Sequence, residues 1–224
     1  MASEELDGRS GHELVALALA EGELGSDAYW DVVRHLQGRG DEATLDLALS
    51  LCAESSARSR ILGLEVVSQL GYQQGRPFLE QSLPTVLRLC VSTDEPAVVE
   101  AAVDALGHLG DPRGFDAVHG QAGHASDDVR LSVAMALPFV TAGPGHSEAR
   151  TVEALSQLTG DGDPEVRDWA TFALGVLVDV DTPEVRSVLR ARVDDPVGDT
   201  AGEAIVGLAL RRDSEVAPVD RPAA

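Results

Sequence analysis

The chain has 224 residues, with 38 acidic against 17 basic side chains and a net charge of −21, and every base is Arg because the sequence contains no Lys. That removes a Schiff-base lysine and a P-loop lysine from consideration, and it argues against unassisted binding to DNA or RNA, which relies on a basic surface. Hydrophobic residues make up 44% but aromatic ones only 4%, so the length suits one ordinary domain or one short solenoid with a core of Leu, Val and Ala.

In chain order, residues 1–10 are polar and are expected to form a flexible N-terminus. Early acids stand where a signal peptide would carry basic residues, and no apolar run reaches about 18 residues, so the reading is cytoplasmic, with no membrane contact. Glu13 to Glu21 and Asp27 to Gln37 read as a helix pair unlike the later ones, with Tyr29 and Trp30 covering the end of the core, as expected of a terminal cap. Residues 41–53 and 56–70 form the next pair, followed by a turn from Gly71 to Pro77. Pro84 is expected to begin a helix reaching about Val91, after a short turn at Phe78 to Ser82, because Pro suits a first helical position. Its partner runs from Pro96 to Leu109, and Asp111-Pro112-Arg113-Gly114 breaks the chain before a short helix from Phe115 to about Ala122. A helix over 127–140 should kink or stop at Pro138, whose ring removes a hydrogen bond and clashes with the preceding turn. The loop from Thr141 to Gly145 precedes helices near 147–159, 164–178, 183–193 and 198–212. The stretch from Asp213 to Ala224, with Pro218 and Pro222, is expected to be disordered.

The clearest element is residues 161–177, DGDPEVRDWATFALGVL. Asp163 caps, Pro164 takes the first helical position, and Glu165 meets the positive end of the helix dipole. Val166, Ala170, Ala173, Leu174 and Leu177 then recur at helical spacing. Looser copies lie at TDEPAVVEAAVDALGHLGDP and SDDVRLSVAMAL, around Arg60 to Gly71 and around Asp195 to Gly207. Taking 60, 99, 130, 167 and 199 as equivalent positions gives steps of 39, 31, 37 and 32 residues, the length of a two-helix repeat. These stretches resemble the HEAT-repeat family, and more narrowly the short HEAT-like repeats of phycobilin lyase subunits, over roughly residues 41–212. The resemblance implies an all-α, right-handed solenoid of about six helix pairs within residues 11–212, with second helices lining the concave side. It names no activity, since such repeats serve scaffolds, inhibitors, nucleic-acid enzymes and lyases alike.

A search for chemistry returns little. Cys52 and Cys90 each end an apolar helical ladder and read as core. The six histidines, His12, His35, His108, His119, His124 and His146, show no zinc spacing, and Asp161-Gly162-Asp163 lacks the later ligands of a calcium loop. No phosphate loop, nucleophile elbow or triad signature is present. No metal and no cofactor are therefore expected. Arg60, Arg130 and Arg167 occupy equivalent positions and read as a structural ladder, with Asp94, Asp127 or Asp163 as partners. Trp169, on the flank of the buried arc, is expected to pack between helices.

Helical geometry assigns the outward side of the second helices in three rows. One holds Ile61, Glu100, Leu131, Asp168 and Thr200, another Glu65, Asp104, Met135, Phe172 and Ala204, and a border row His108, Phe139 and Val176. Acidic positions in the earlier repeats and apolar ones in the middle read as a groove with apolar anchors and a charged rim. Glu100, Asp104, Met135, Phe139 and Phe172 are expected to share its centre. The favoured function is a protein- or peptide-binding module for a basic partner, such as an inhibitor, immunity protein or adaptor, using Glu65, Glu100, Asp104, His108, Leu131, Met135, Phe139, Asp168 and Phe172. The alternative is a metal-free lyase, isomerase or cyclase acting on an apolar small molecule, with Asp104, His108 or Asp168 as acid and base.

Overall fold

The computed structural model describes residues 6–22, 24–143 and 145–214. Among them are twelve α-helices, two short 3-10 turns, one π turn and no strand. Two compact units divide between Val118 and His119.

The first unit holds α1 (Gly11–Ala20), α2 (Asp27–Arg39), α3 (Glu42–Cys52), α4 (Ala57–Gln69), α5 (Leu79–Ser92) and α6 (Pro96–Leu109), and the short α7 (Phe115–Gly120) spans the division. Side-chain caps set the early starts. Ser10 and Glu13 form a reciprocal capping box, and Asp41 accepts the Thr44 N–H at 2.7 Å, satisfying amides that the first helical turn leaves open. Helices α3 and α4 form one pair and α5 and α6 the next, with α4 laid against α6 and α2 against α4. Gly63 permits the closest of these approaches, because a Cβ there would meet the Ala48 carbonyl oxygen at 2.6 Å. Both cysteines are buried between these helices, and burial pushes each thiol up to about 12.

Pro84 does not begin a helix; it lies inside α5, which starts at Leu79. The missing N–H leaves one carbonyl of the first turn without its helical donor. Packing overrides this, since Phe78, Ser82 and Leu83 are buried and the Ser82 N–H closes the turn onto the Phe78 carbonyl at 3.0 Å.

The second unit holds α8 (Asp127–Val140), α9 (His146–Leu158), α10 (Pro164–Phe172), α11 (Pro183–Arg190) and α12 (Gly198–Leu210). Helices α8, α10 and α12 lie side by side, with α9 against α8 and α10, and α11 against α12. The start of α10 is as the sequence indicates, with Asp163 accepting the N–H groups of Glu165 at 2.9 Å and Val166 at 3.1 Å. Its end differs, because Ala173–Leu177 forms a π turn. Arg211 holds that turn, donating to the carbonyls of Gly175 at 2.6 Å and of Leu174, Val178 and Val180 at 3.0 Å each. Helix α8 runs past Pro138 only to Val140, where Thr141 Oγ1 donates to the Leu137 carbonyl at 2.6 Å.

The arginine ladder is present, with partners shifted from those expected. Arg60 meets Glu95 at 3.7 Å, Arg130 pairs in two-pronged fashion with Asp161 at 2.7 and 2.8 Å, and Arg167 lies 3.4 Å from Asp195. Each arginine reaches past the capping position of its own helix to the loop that opens the following repeat. Asp161 and Asp195 are pre-aimed there by accepting the N–H of the residue two further on.

Trp169 departs from its expected burial. It is 37% exposed and sits edge-on to Phe172, with centroids 5.6 Å apart.

Candidate functional site

The first unit carries a groove of about 330 Å³. Helix α6 supplies Glu100, Asp104 and His108 at helical spacing, so three polar side chains line one face over two turns. Helix α4 supplies Ile61, Glu65 and Gln69 opposite, and α2 contributes Trp30 and Gln37.

Glu65 is the most constrained member. The Tyr29 hydroxyl, fully buried, donates to its Oε2. Gln37 Nε2 and Ser68 Oγ donate to its backbone carbonyl at 2.9 and 2.7 Å. The second carboxylate oxygen, Oε1, takes no hydrogen bond from any described residue. Burial first, with the Asp104 and Glu100 charges adding to it, pushes the carboxyl up to about 7 against the opposing pull of the Tyr29 hydrogen bond. The Tyr29 phenol is driven upward as well, by burial first and then by the Glu65 charge. A carboxyl balanced near neutral pH inside a groove is an arrangement that meets a cation or exchanges a proton readily.

In the second unit Leu131, Met135 and Phe139 lie on α8, and Asp168 and Phe172 on α10. Phe139 is 57% exposed, while Leu131, Met135 and Phe172 are half-buried. Asp168 accepts a hydrogen bond from Thr200 Oγ1 at 3.2 Å. Beside it, burial raises the Glu203 carboxyl, with the Asp168 and Asp199 charges adding to the shift.

Of the residues singled out from sequence, Glu65, Glu100, Asp104 and His108 thus share one groove, whereas Leu131, Met135, Phe139, Asp168 and Phe172 belong to the other unit. Asp104 and His108 are neighbours, and Asp168 lies outside their unit. The far ends of the assigned rows fail, since Thr200 and Ala204 are fully buried, whereas Ile61, though largely covered, does line the groove. Tyr29, Trp30 and Gln37 were not anticipated as site residues, because α2 departs from the repeat pattern and offers no register from which to place them, while Gln69 on α4 holds the position equivalent to His108 and was passed over. The adjacency of two large aromatics in an aromatic-poor chain was the available signal.

Among the described residues no group of three or more His, Cys, Asp or Glu side chains is placed to hold a metal ion, and no helix is long and apolar enough to cross a membrane.

A family model described as HEAT repeats matches residues 64–138 and 121–209. Protein YibA of Escherichia coli K12 is 24% identical over 193 residues, and the match spans 83% of this chain and 65% of the relative's length. The crystal structure of YibA superposes with a TM-score of 0.76 at 21% identity, covering 96% of this chain and 75% of that one. A designed armadillo repeat protein in complex with the peptide (KR)4 superposes with a TM-score of 0.60 at 13% identity, covering 90% and 99%. An archaeal HEAT-like repeat protein from Thermococcus onnurineus NA1 gives 0.55 at 16% identity, covering 90% and 80%.

Proposed function

The chain belongs to the HEAT-repeat family, and from that premise we propose that it is a peptide- or protein-binding module whose first unit takes a basic segment of its partner into the acidic groove. The observation that carries the reading is the convergence of Glu65, Glu100 and Asp104, from two helices, on one groove walled by Trp30. The net charge of −21 adds a long-range field that draws a cationic partner in. The likeness to a designed repeat protein bound to an alternating Lys-Arg peptide is a likeness of fold, and it supports the reading only to the extent that such stacked helices can present a surface to an extended cationic chain. In the second unit the exposed Phe139, with half-buried Met135 and Phe172, offers apolar anchors for the same class of partner. An inhibitor, an immunity protein and an adaptor are the roles this architecture suits.

The test is titration calorimetry with an end-blocked octapeptide of alternating Lys and Arg. Wild-type protein should bind, and Glu100→Lys and Asp104→Lys should each weaken binding at least tenfold at low salt and less at high salt. Unchanged affinity in both variants, once each is shown to be folded, overturns the assignment of the groove.

A further inference from the structure

Glu65 is positioned unlike the other two carboxylates of the groove. It lies on α4 with one oxygen held by the buried Tyr29 hydroxyl and the other, Oε1, without a hydrogen bond from any described residue. It lines the groove beside Ile61, opposite Glu100 and Asp104 on α6. Resting on the binding reading above, we propose that Glu65 carries a proton in the empty groove and that a cationic side chain of the partner enters by displacing it, so that the groove exchanges a proton for the partner.

Two physical effects argue for this. A half-buried carboxylate loses hydration, and the Asp104 and Glu100 charges act on it in the same direction, so ionising Glu65 is costly. Protonation of Glu65 relieves both costs and leaves Tyr29 a partner, since the carboxyl still accepts the phenol hydrogen bond. An incoming ammonium or guanidinium reverses the balance by supplying opposite charge at the unbonded oxygen. The proton then leaves to solvent and the ion pair takes its place, with no other bond made or broken. The shift of the Glu65 carboxyl to about 7 places the exchange near neutral pH.

The groups facing Glu65 can be enumerated. Helix α2 presents Tyr29, α6 presents Glu100, Asp104 and His108, and Arg58 on α4 itself acts on Tyr29. Helices α1, α3 and α5 contribute no charge to the balance at Glu65. Arg58 is turned away, with Nη2 donating to the backbone carbonyls of Ala18 and Glu21. His108 lines the same groove, so the experiment must separate its contribution from that of Glu65.

Binding of the end-blocked Lys-Arg octapeptide is measured by calorimetry from pH 5.5 to 8.5 at fixed ionic strength, in two buffers of different ionisation heat. Wild-type affinity should rise as pH increases, by at most about tenfold per pH unit below neutrality, and level off above it, with close to one proton released per peptide at low pH. Glu65→Gln should abolish that release and flatten the pH profile between 6 and 8. His108→Gln should keep both, whatever its own affinity. Tyr29→Phe, which removes a hydrogen bond that favours the ionised form, should move the rise to higher pH. A wild-type profile that is flat with no proton release, or one that His108→Gln flattens and Glu65→Gln does not, overturns the inference while leaving the binding reading in place. Absence of binding at every pH overturns both.

Discussion

Gly207 and Gly175 meet with no side chain between them, so that a Cβ added to Gly207 would stand 2.7 Å from the Gly175 Cα. Backbone on both sides means neither partner can rotate away. Replacing Gly by Ala in an open helix stabilises by about 1 kcal/mol through helix propensity, but overpacking at a fixed contact costs about 1–3 kcal/mol. The steric effect wins here, and Gly207→Ala should destabilise the protein by about 1–2 kcal/mol in urea unfolding. A stabilised variant would show that the π turn and α12 can separate freely.

The Arg130 and Asp161 pair should make stability depend on acid pH. The hydrogen bond from Arg130 holds the Asp161 carboxyl below the ordinary range, with burial opposing it. Protons therefore bind the unfolded chain first as pH falls, and the contribution of this pair is present above about pH 4 and lost below it. Asp161→Asn should cost about 2 kcal/mol at pH 7, because Arg130 loses a two-pronged partner. The difference from wild type should shrink towards pH 2, and a difference that persists undiminished there would refute the electrostatic origin.

Glu65 should act with the opposite sign. Its folded carboxyl titrates at about 7, above the unfolded value, so the folded state holds the extra proton and stability falls as pH rises from about 4.5 to 7. Glu65→Gln should therefore raise the melting temperature at pH 8, by an amount equivalent to about 2 kcal/mol, and leave it nearly unchanged at pH 5. Thermal unfolding at the two pH values, without any ligand, reads this directly.

Trp169 now belongs to the surface. Its edge contact with Phe172 contributes about 1 kcal/mol beyond the apolar area the ring still covers, so Trp169→Ala should cost about 2 kcal/mol, short of the 3–5 kcal/mol or so of a buried ring. A loss in the larger range, measured by chemical unfolding, would return the ring to the core.

Elements whose ends carry their own chemistry were readable from sequence. Helix α6 starts on Pro96 and gives way to Gly110 at φ 63°, and both residues announce themselves. Helix α5 was misread because nothing caps it: Phe78 bonds no amide through its side chain, and the only visible signal, Pro84, pointed to the wrong turn. Within the candidate site, repeat register brought Glu65, Glu100, Asp104 and His108 together, since equivalent positions on packed second helices are neighbours. Register could not reveal Tyr29, which meets Glu65 across 36 positions of sequence from a helix outside the pattern. Thr200 and Ala204 were misplaced because extrapolating a register assumes that equivalent positions keep the same exposure on every helix, and on α12 both are buried.

The π turn at Ala173–Leu177 changes how this chain should be compared with its relatives. A π turn bonds i to i+5 and so widens the helix locally, and here the Arg211 guanidinium donates to the carbonyls of Leu174, Gly175 and Val178 in and just after that turn. A regular α-helical template laid over residues 173–177 therefore misplaces their side chains, even though Ala173, Leu174 and Gly175 keep gapless sequence register with Ala105, Leu106 and Gly107.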